Sequence, residues 1–529
     1  MSPMSATLYP KTVNEPKVHP LIRTSTRQSF AFVPTAGARY APETLVLEFM
    51  REVFFESHGG DSAESHELNA EELDEERRHR YSTRERAVLH ALRGRRKQTR
   101  QSPVQPFFAP AYPHLARFAW LRKKSERVIN NFLLSGPIAQ YLWCKGPDAA
   151  NGTQNQQEVL GKIWRALLGN HSCFDRRLNG KEILAATLGP DSFQLDRDLP
   201  IRKLKEKTGF STSVMKVDYD ELASRITLDL IAVCNLEANL PRMQWLHLLM
   251  TFLRFALPMW LLAHMQITRL IHRWLLGAID YKNPTDAQTI RCSVARRNYG
   301  LLHPTLTPTR EIYEHIDRYM KCRVELNILL YCLEQVAGDA FAGRTLCLGS
   351  GGRDVLSVDQ LLALAKDSSN KICNLERFKH VAADLSVQTF LTREGEQFSG
   401  WRDPRGAGQG KNINEFLRVL YRAEIGDESG GYLFVSEGWG PKRAFRVFPG
   451  QLLLKTVTYL AAQRKCSDQP HGGAGKLVLQ DVEDHFGQYG IDFSTAADAR
   501  PLLMKKLQTM GLLTGSPDAG SSVAVACPY

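Results

Sequence analysis

Apolar residues recur at three- and four-residue steps through most of this chain, and that spacing gathers them on one face of a helix. The first such run is residues 41–57, where Leu45, Leu47, Phe49, Met50 and Phe54 predict a helix. Between about 113 and 336 the pattern is helical nearly throughout. The predicted helices there are Ser125–Tyr141, Gln156–Leu168, Tyr219–Leu236, Arg242–Leu257, Met259–Ala278 and Arg310–Val336. In the last of them Ile312, Ile316, Tyr319 and Met320 continue into Leu326, Leu329, Leu330 and Leu333. No internal repeat of fixed period is visible, which argues against a solenoid. Residues 395–412, with five glycines and a proline, mark a loop or boundary, and Tyr432–Val435 beyond them suits a strand.

The pattern changes after Pro449. An amphipathic run, Gln451–Gln463, carries Leu452, Leu453, Val457, Leu460 and Ala461 on one face. A loop rich in Gly and Ser follows, and Lys476–Leu479 suits a small first strand. Asp481–Tyr489 is a second helix, with Asp481 at its N-cap or first turn and Gly490 as its stop. Residues 496–510 form a third, with Leu502, Leu503, Leu507 and Met510 facing inward and Gly511 ending it. Leu512–Gly515 and Ser522–Ala526 then pair across the turn Pro517-Asp518-Ala519-Gly520.

This order of helix, strand, helix, helix and hairpin resembles the winged-helix variant of the helix-turn-helix family over residues 450–529. The resemblance implies that the third helix enters a major groove, with Arg500, Lys505 and Lys506 as contacts and Asp498 opposing them. The expected fold is therefore mainly α with small β elements, a multi-helical body plus a C-terminal winged helix. It divides into an extended arm (1–40), a helical segment with a charged insertion (41–112), a helical body (113–394), a Gly-rich loop with a small α/β connector (395–449) and the winged helix (450–529).

Charge alters this picture. The net charge is +12, but between Arg77 and Arg127 fifteen Lys or Arg face only Glu85 and Glu126, a local excess of +13. A polyanion partner should meet this stretch first, and Arg95, Arg96, Lys97, Arg100, Arg122, Lys123 and Lys124 are its candidate nucleic-acid contacts. The acidic block just before it (Glu71, Glu72, Asp74, Glu75, Glu76) also suits pairing between the two halves of one solvated segment. Residues 450–529, by contrast, hold seven bases and seven acids. Phosphate contacts supply much of the affinity of DNA readers, so this balance favours protein docking by the third helix over groove reading.

Residues 244–263 are apolar enough to raise the question of a membrane span, but Arg254 sits at their middle. A central Arg costs about 2.5–3.5 kcal/mol on insertion scales. Two buried helices, with Pro258 near the first turn of the second, are the expected alternative. The ten cysteines are scattered, no two of them two or three residues apart, so no zinc knuckle or CxxC pair is present. Reduced thiols, the absence of a signal-peptide pattern at the start and no membrane span together lead to an expected cytoplasmic location.

Candidate chemistry is sparse. Thr345–Asp354 runs into a glycine cluster, Gly349–Gly352, without the spacing of a nucleotide-binding loop, and a tight turn is the better reading. Glu424, Asp427 and Glu428 have oxygen ligands for a divalent ion but suit an exposed turn. Asp403, Lys411 and Glu415 have nuclease residue types in the wrong order, and His264 and His272 have no acid or thiol at metal-ligand spacing. No catalytic residue, metal ligand or cofactor is predicted.

The helical body, the terminal winged helix and the segments GDESGGYL (426–433) and GLLTGSPDAG (511–520) are similar to accessory subunits of bacterial DNA-modification and phage-defence systems, including phosphorothioation-dependent restriction. That resemblance implies a non-enzymatic subunit of a restriction or phage-defence complex, with DNA and a partner protein as its contacts. Two alternatives stay open: a nuclease or nucleotide-binding enzyme using the 345–354 turn or the Glu424 cluster, and a winged-helix transcriptional regulator.

Overall fold

A computed structural model describes residues 49, 136–138, 141, 158–163, 166–167, 220–280, 302–316, 318–319, 322, 421–422, 430–437, 444–468, 476–494, 497–514 and 522–529. The basic stretch 77–127, the 345–354 turn, Asp403, Lys411, Glu415 and Glu424–Glu428 lie outside these residues. What is described is mostly helical, with one small sheet.

Helix α1 (Asp220–Asn235) leads through a short 3-10 turn (Leu236–Asn239) into α2 (Arg242–Asp280), 39 residues long. The expectation of two helices meeting at Pro258 is corrected here, because Pro258 lies inside one continuous α2. A helix-interior proline loses a backbone hydrogen bond and crowds the preceding turn, at a cost of about 3 kcal/mol. Burial outweighs that cost, since every residue from Thr251 to Ala263 is buried. The same burial answers the membrane question for this stretch: Gln244–Ala263 passes the length and hydropathy test for a span, but 83% of that window is inside the protein. Trp245 ties the start of α2 to α1 by donating its indole N–H to the Val233 carbonyl at 2.8 Å.

The sheet has the order β1-β4-β3-β2, built from Thr305–Thr309 (β1), Tyr421–Arg422 (β2), Phe434–Glu437 (β3) and Ala444–Val447 (β4). Strand β4 is antiparallel to both β1 and β3, whereas β2 runs parallel to β3. Two points differ from the expectations. Residues 305–309, between the predicted helices Met259–Ala278 and Arg310–Val336, form a strand, where three β-branched threonines favour it and Pro308 is tolerated on an edge. The predicted strand Tyr432–Val435 is observed as Phe434–Glu437, and Tyr432 just before it lies with the Arg254 guanidinium over its ring, 4.9 Å from the centre. Phe434 and Phe445 pack on one another, and Tyr313 packs on Phe445, which seats the helical residues 311–316 against the sheet.

Three further helices follow, α3 (Gln451–Asp468), α4 (Leu479–Gln488) and α5 (Ala499–Thr509). Helix α3 is five residues longer than predicted, and its residues from Thr456 to Ala461 are all buried. It packs against α1, α2 and α4. Lys465 near its end donates to the Lys476 carbonyl and to Asp481 in the first turn of α4, and Asp481 also accepts the Val478 N–H at 2.8 Å. Gly490 and Gly511 take positive φ, 85° and 69°, and end α4 and α5 as their positions in the sequence predict. Val478 bridges to Ala524 and Leu513 to Val525, both antiparallel, so the segment around 523–526 lies between the other two. Inside α5, Leu503 and Leu507 are fully buried, whereas Leu502 and Met510, also expected inward, are half-buried.

One contact in this arrangement tolerates no added atom. A Cβ on Gly431 would fall on Thr251 Oγ1 and lie 2.8 Å from its Cγ2, so the 430–431 turn packs directly on α2. Gly431→Ala should therefore destabilise the protein by about 1–3 kcal/mol in urea unfolding. Thr251→Gly in the same chain should recover part of that loss, and an Ala variant as stable as the parent would show that this contact is not formed.

Candidate functional site

The exposed face of α5 is where the sequence places groove contacts, and the structure gives its three cations different fates. Arg500 sits in the first turn, where it donates from Nε to Glu483 Oε1 at 2.7 Å and from one amino nitrogen to Gln480 Oε1 at 2.9 Å. The same nitrogen makes a second ion-pair bond to Glu483 Oε2. This bidentate clamp joins α5 to α4, and the Glu483 carboxylate holds the guanidinium still more firmly protonated. Lys506 lies over the Phe448 ring, 4.6 Å from its centre. Lys505 is exposed, in company with Asp498, Pro501, Gln508 and Thr509. Of the three predicted contacts, two are therefore engaged within the chain. The basic candidates Arg95, Arg96, Lys97, Arg100, Arg122, Lys123 and Lys124 lie outside the described residues.

Two polar clusters escaped the sequence reading. The first is buried between α1 and α4. Asp229 on α1 accepts the Tyr489 hydroxyl at 2.7 Å and the His485 imidazole at 2.9 Å, both on Oδ2, and Arg225 stands 4.0 Å from Oδ1. Because a carboxylate only accepts, the imidazole proton in this bond is on Nε2. Burial, then the charge and bond of Asp229, push the Tyr489 hydroxyl well above the usual phenol range. His485 is 1% exposed, so this is a joint within the protein rather than an open site.

The second cluster is open. His303, in the loop before β1, faces Glu311 with Nδ1 2.7 Å from Oε1, and its backbone N–H reaches Oε2 at 3.4 Å. His315 lies one turn further along the same helix as Glu311, with Nε2 3.9 Å from that Oε1. Burial of Glu311 tends to raise its pKa, but the two imidazoles outweigh it and hold the carboxyl below its ordinary value. The signal available in the sequence was the four-residue spacing of Glu311 and His315 on a predicted helix. His303 arrives through the strand between them, and no spacing rule announces it.

No protein-family model, curated protein or solved structure matches this chain. The geometry therefore stands by itself.

Two outcomes follow from the clusters. Asp229→Ala leaves two buried donors without their acceptor and should cost about 2–3 kcal/mol or more in equilibrium unfolding, whereas Tyr489→Phe should cost about 1 kcal/mol. Equal losses would mean that Asp229 does not join the two helices. For Glu311 the lowered pKa gives stability that is present above about 4.5 and lost as pH falls through the folded value. A Glu311→Gln variant should therefore show a flatter decline of stability in acid, and an unchanged acid profile would contradict the assignment.

Proposed function

We propose that residues 450–529 are a winged helix and that this unit is a docking module on a non-enzymatic, cytoplasmic subunit of a bacterial DNA-directed complex. The order of α3, α4 and α5 with the bridged segments 478, 513 and 524–525 supports the first part. The observation that carries the docking reading is the clamp on Arg500: with Arg500 on Glu483 and Lys506 over Phe448, α5 presents Lys505 amid neutral and acidic neighbours. A surface of that kind suits a protein partner better than a phosphate backbone. Phosphate contacts then fall to the stretch Arg77–Arg127, which holds the chain's positive excess. Restriction or phage defence is the setting we propose for such a complex, on the likeness of its architecture alone.

The test is DNA affinity measured across salt concentrations. Replacing Arg95, Arg96, Lys97 and Arg100 together by Gln should reduce the slope of log affinity against log salt by up to about 3.6, at about 0.9 per phosphate contact on duplex DNA. Lys505→Ala should leave that slope nearly unchanged. The reverse pattern would make α5 the nucleic-acid surface, and a parent protein that binds no DNA at any salt would remove the DNA-directed part of the reading.

A further inference from the structure

We propose that α1 is a built-in control on the docking face, because the C-terminal unit keeps its fold only while α1 is seated on α4. The order of elements sets that unit at residues 450–529, yet these residues alone do not close its core. His485, Phe486 and Tyr489 are each at most 1% exposed. Much of what covers them comes from earlier in the chain. Phe255 of α2 lies against both aromatic rings, and Asp229 of α1 accepts from the imidazole and the hydroxyl. Tyr459 of α3 likewise donates to the Ala232 carbonyl of α1, at 3.2 Å. A chain of about 80 residues is near the lower limit for a self-sufficient core. Without α1 and α2, this one would return two aromatic rings to water.

Helix α4 is the layer through which α1 reaches the docking face. Glu483 and His485 stand two residues apart on it, and so point to opposite sides of the helix. Glu483 holds Arg500 at the start of α5, while His485 holds Asp229 on α1. Lys465 of α3 is bound in turn to Asp481 in the first turn of α4. All three helices of the unit are thus tied to one another, and the bond to Asp229 carries the tie into the helical body. In sequence this folding unit is split, since residues 281–443 separate α2 from β4. Opening of α1 removes the seat of α4, and with it the position from which Glu483 holds Arg500. A ligand that displaced α1 would therefore act on α5 without touching it. The inference rests on the docking reading for its function and adds what governs that face. Its test uses no partner, so the two fail separately.

Native-state hydrogen exchange of the full-length chain, read by mass spectrometry on its peptides, is the test. Asp229→Ala alters α1 alone. Exchange should nevertheless quicken by at least about tenfold in α4 and α5 as well as in α1, and by similar factors. Faster exchange confined to α1, with α5 at the parental rate, would overturn the proposal. Should Asp229→Ala fail to fold, Tyr489→Phe gives the reciprocal reading from the α4 side. Loss of that one hydroxyl bond should quicken exchange about fivefold in α1, where its acceptor lies, and in α5 alike. Parental exchange in α1 or in α5 of that variant overturns the coupling just as well.

Discussion

The described fold depends on a single buried carboxylate. Asp229 takes two hydrogen bonds from α4 on one oxygen, and this fixes how the C-terminal helices sit on the rest. Helix α4 carries Val482, His485 and Phe486 on its inner face, with Tyr489 capping its end, so polar atoms travel into the interior with the apolar ones. Left unpaired, each would cost about 1–3 kcal/mol. Only an acceptor on the facing helix removes that cost, and α1 supplies it from 256 residues away in sequence. Apolar contact then fills the space around the joint: Phe255 of α2 meets the Tyr489 ring at 4.7 Å and the Phe486 ring at 5.9 Å. Tyr459 of α3 repeats the tactic, donating its hydroxyl to the Ala232 carbonyl at 3.2 Å, and its burial beside Cys527 pushes it up to about 12.

Packing against α1 and α3 explains why α2 passes through Pro258 unbroken. A helix clasped by α1 on one side and α3 on another has no solvent to offer a broken turn, so ending the helix would leave more backbone groups unpaired than the proline does. The single charge in its buried middle is treated in the same way. Arg254 is 7% exposed and lies against the Tyr432 ring, in a turn that approaches α2 closely because residue 431 is glycine. A proline, an arginine and a glycine, each unfavourable alone, are tolerated because their neighbours are fixed.

How much of this was legible depends on whether the cause is local. Helix α1 was placed within a residue at each end, and the stops at Gly490 and Gly511 were found, because periodicity and positive φ act over a few residues. The strand at 305–309 was missed because its partner β4 lies more than 130 residues ahead. Pro258 misled because its local cost is real and the compensating burial is tertiary. Sites followed the same division. Arg500 was visible as a cation on a helix, but its partner Glu483 lies on a different helix, and only the fold brings them together. His303 lies only eight residues from Glu311, but the two meet across β1, a strand that the helical spacing does not announce.

The clamp on Arg500 also gives the balance of charges in the C-terminal unit a physical meaning. Seven acids and seven bases could have meant a cationic face opposite an anionic one, which would still serve phosphate well. The structure instead mixes the signs at short range: Arg500 with Glu483 and Lys465 with Asp481, each pair joining neighbouring helices. Charges used this way have their fields closed within the unit and contribute little to long-range steering. Their effect is mechanical, tying α3 to α4 and α4 to α5. A helix tied in this way, with one exposed lysine among Pro501, Gln508 and Thr509, offers shape more than charge. We propose on that ground that such a helix meets a protein partner, while the chain keeps its positive excess in a different segment.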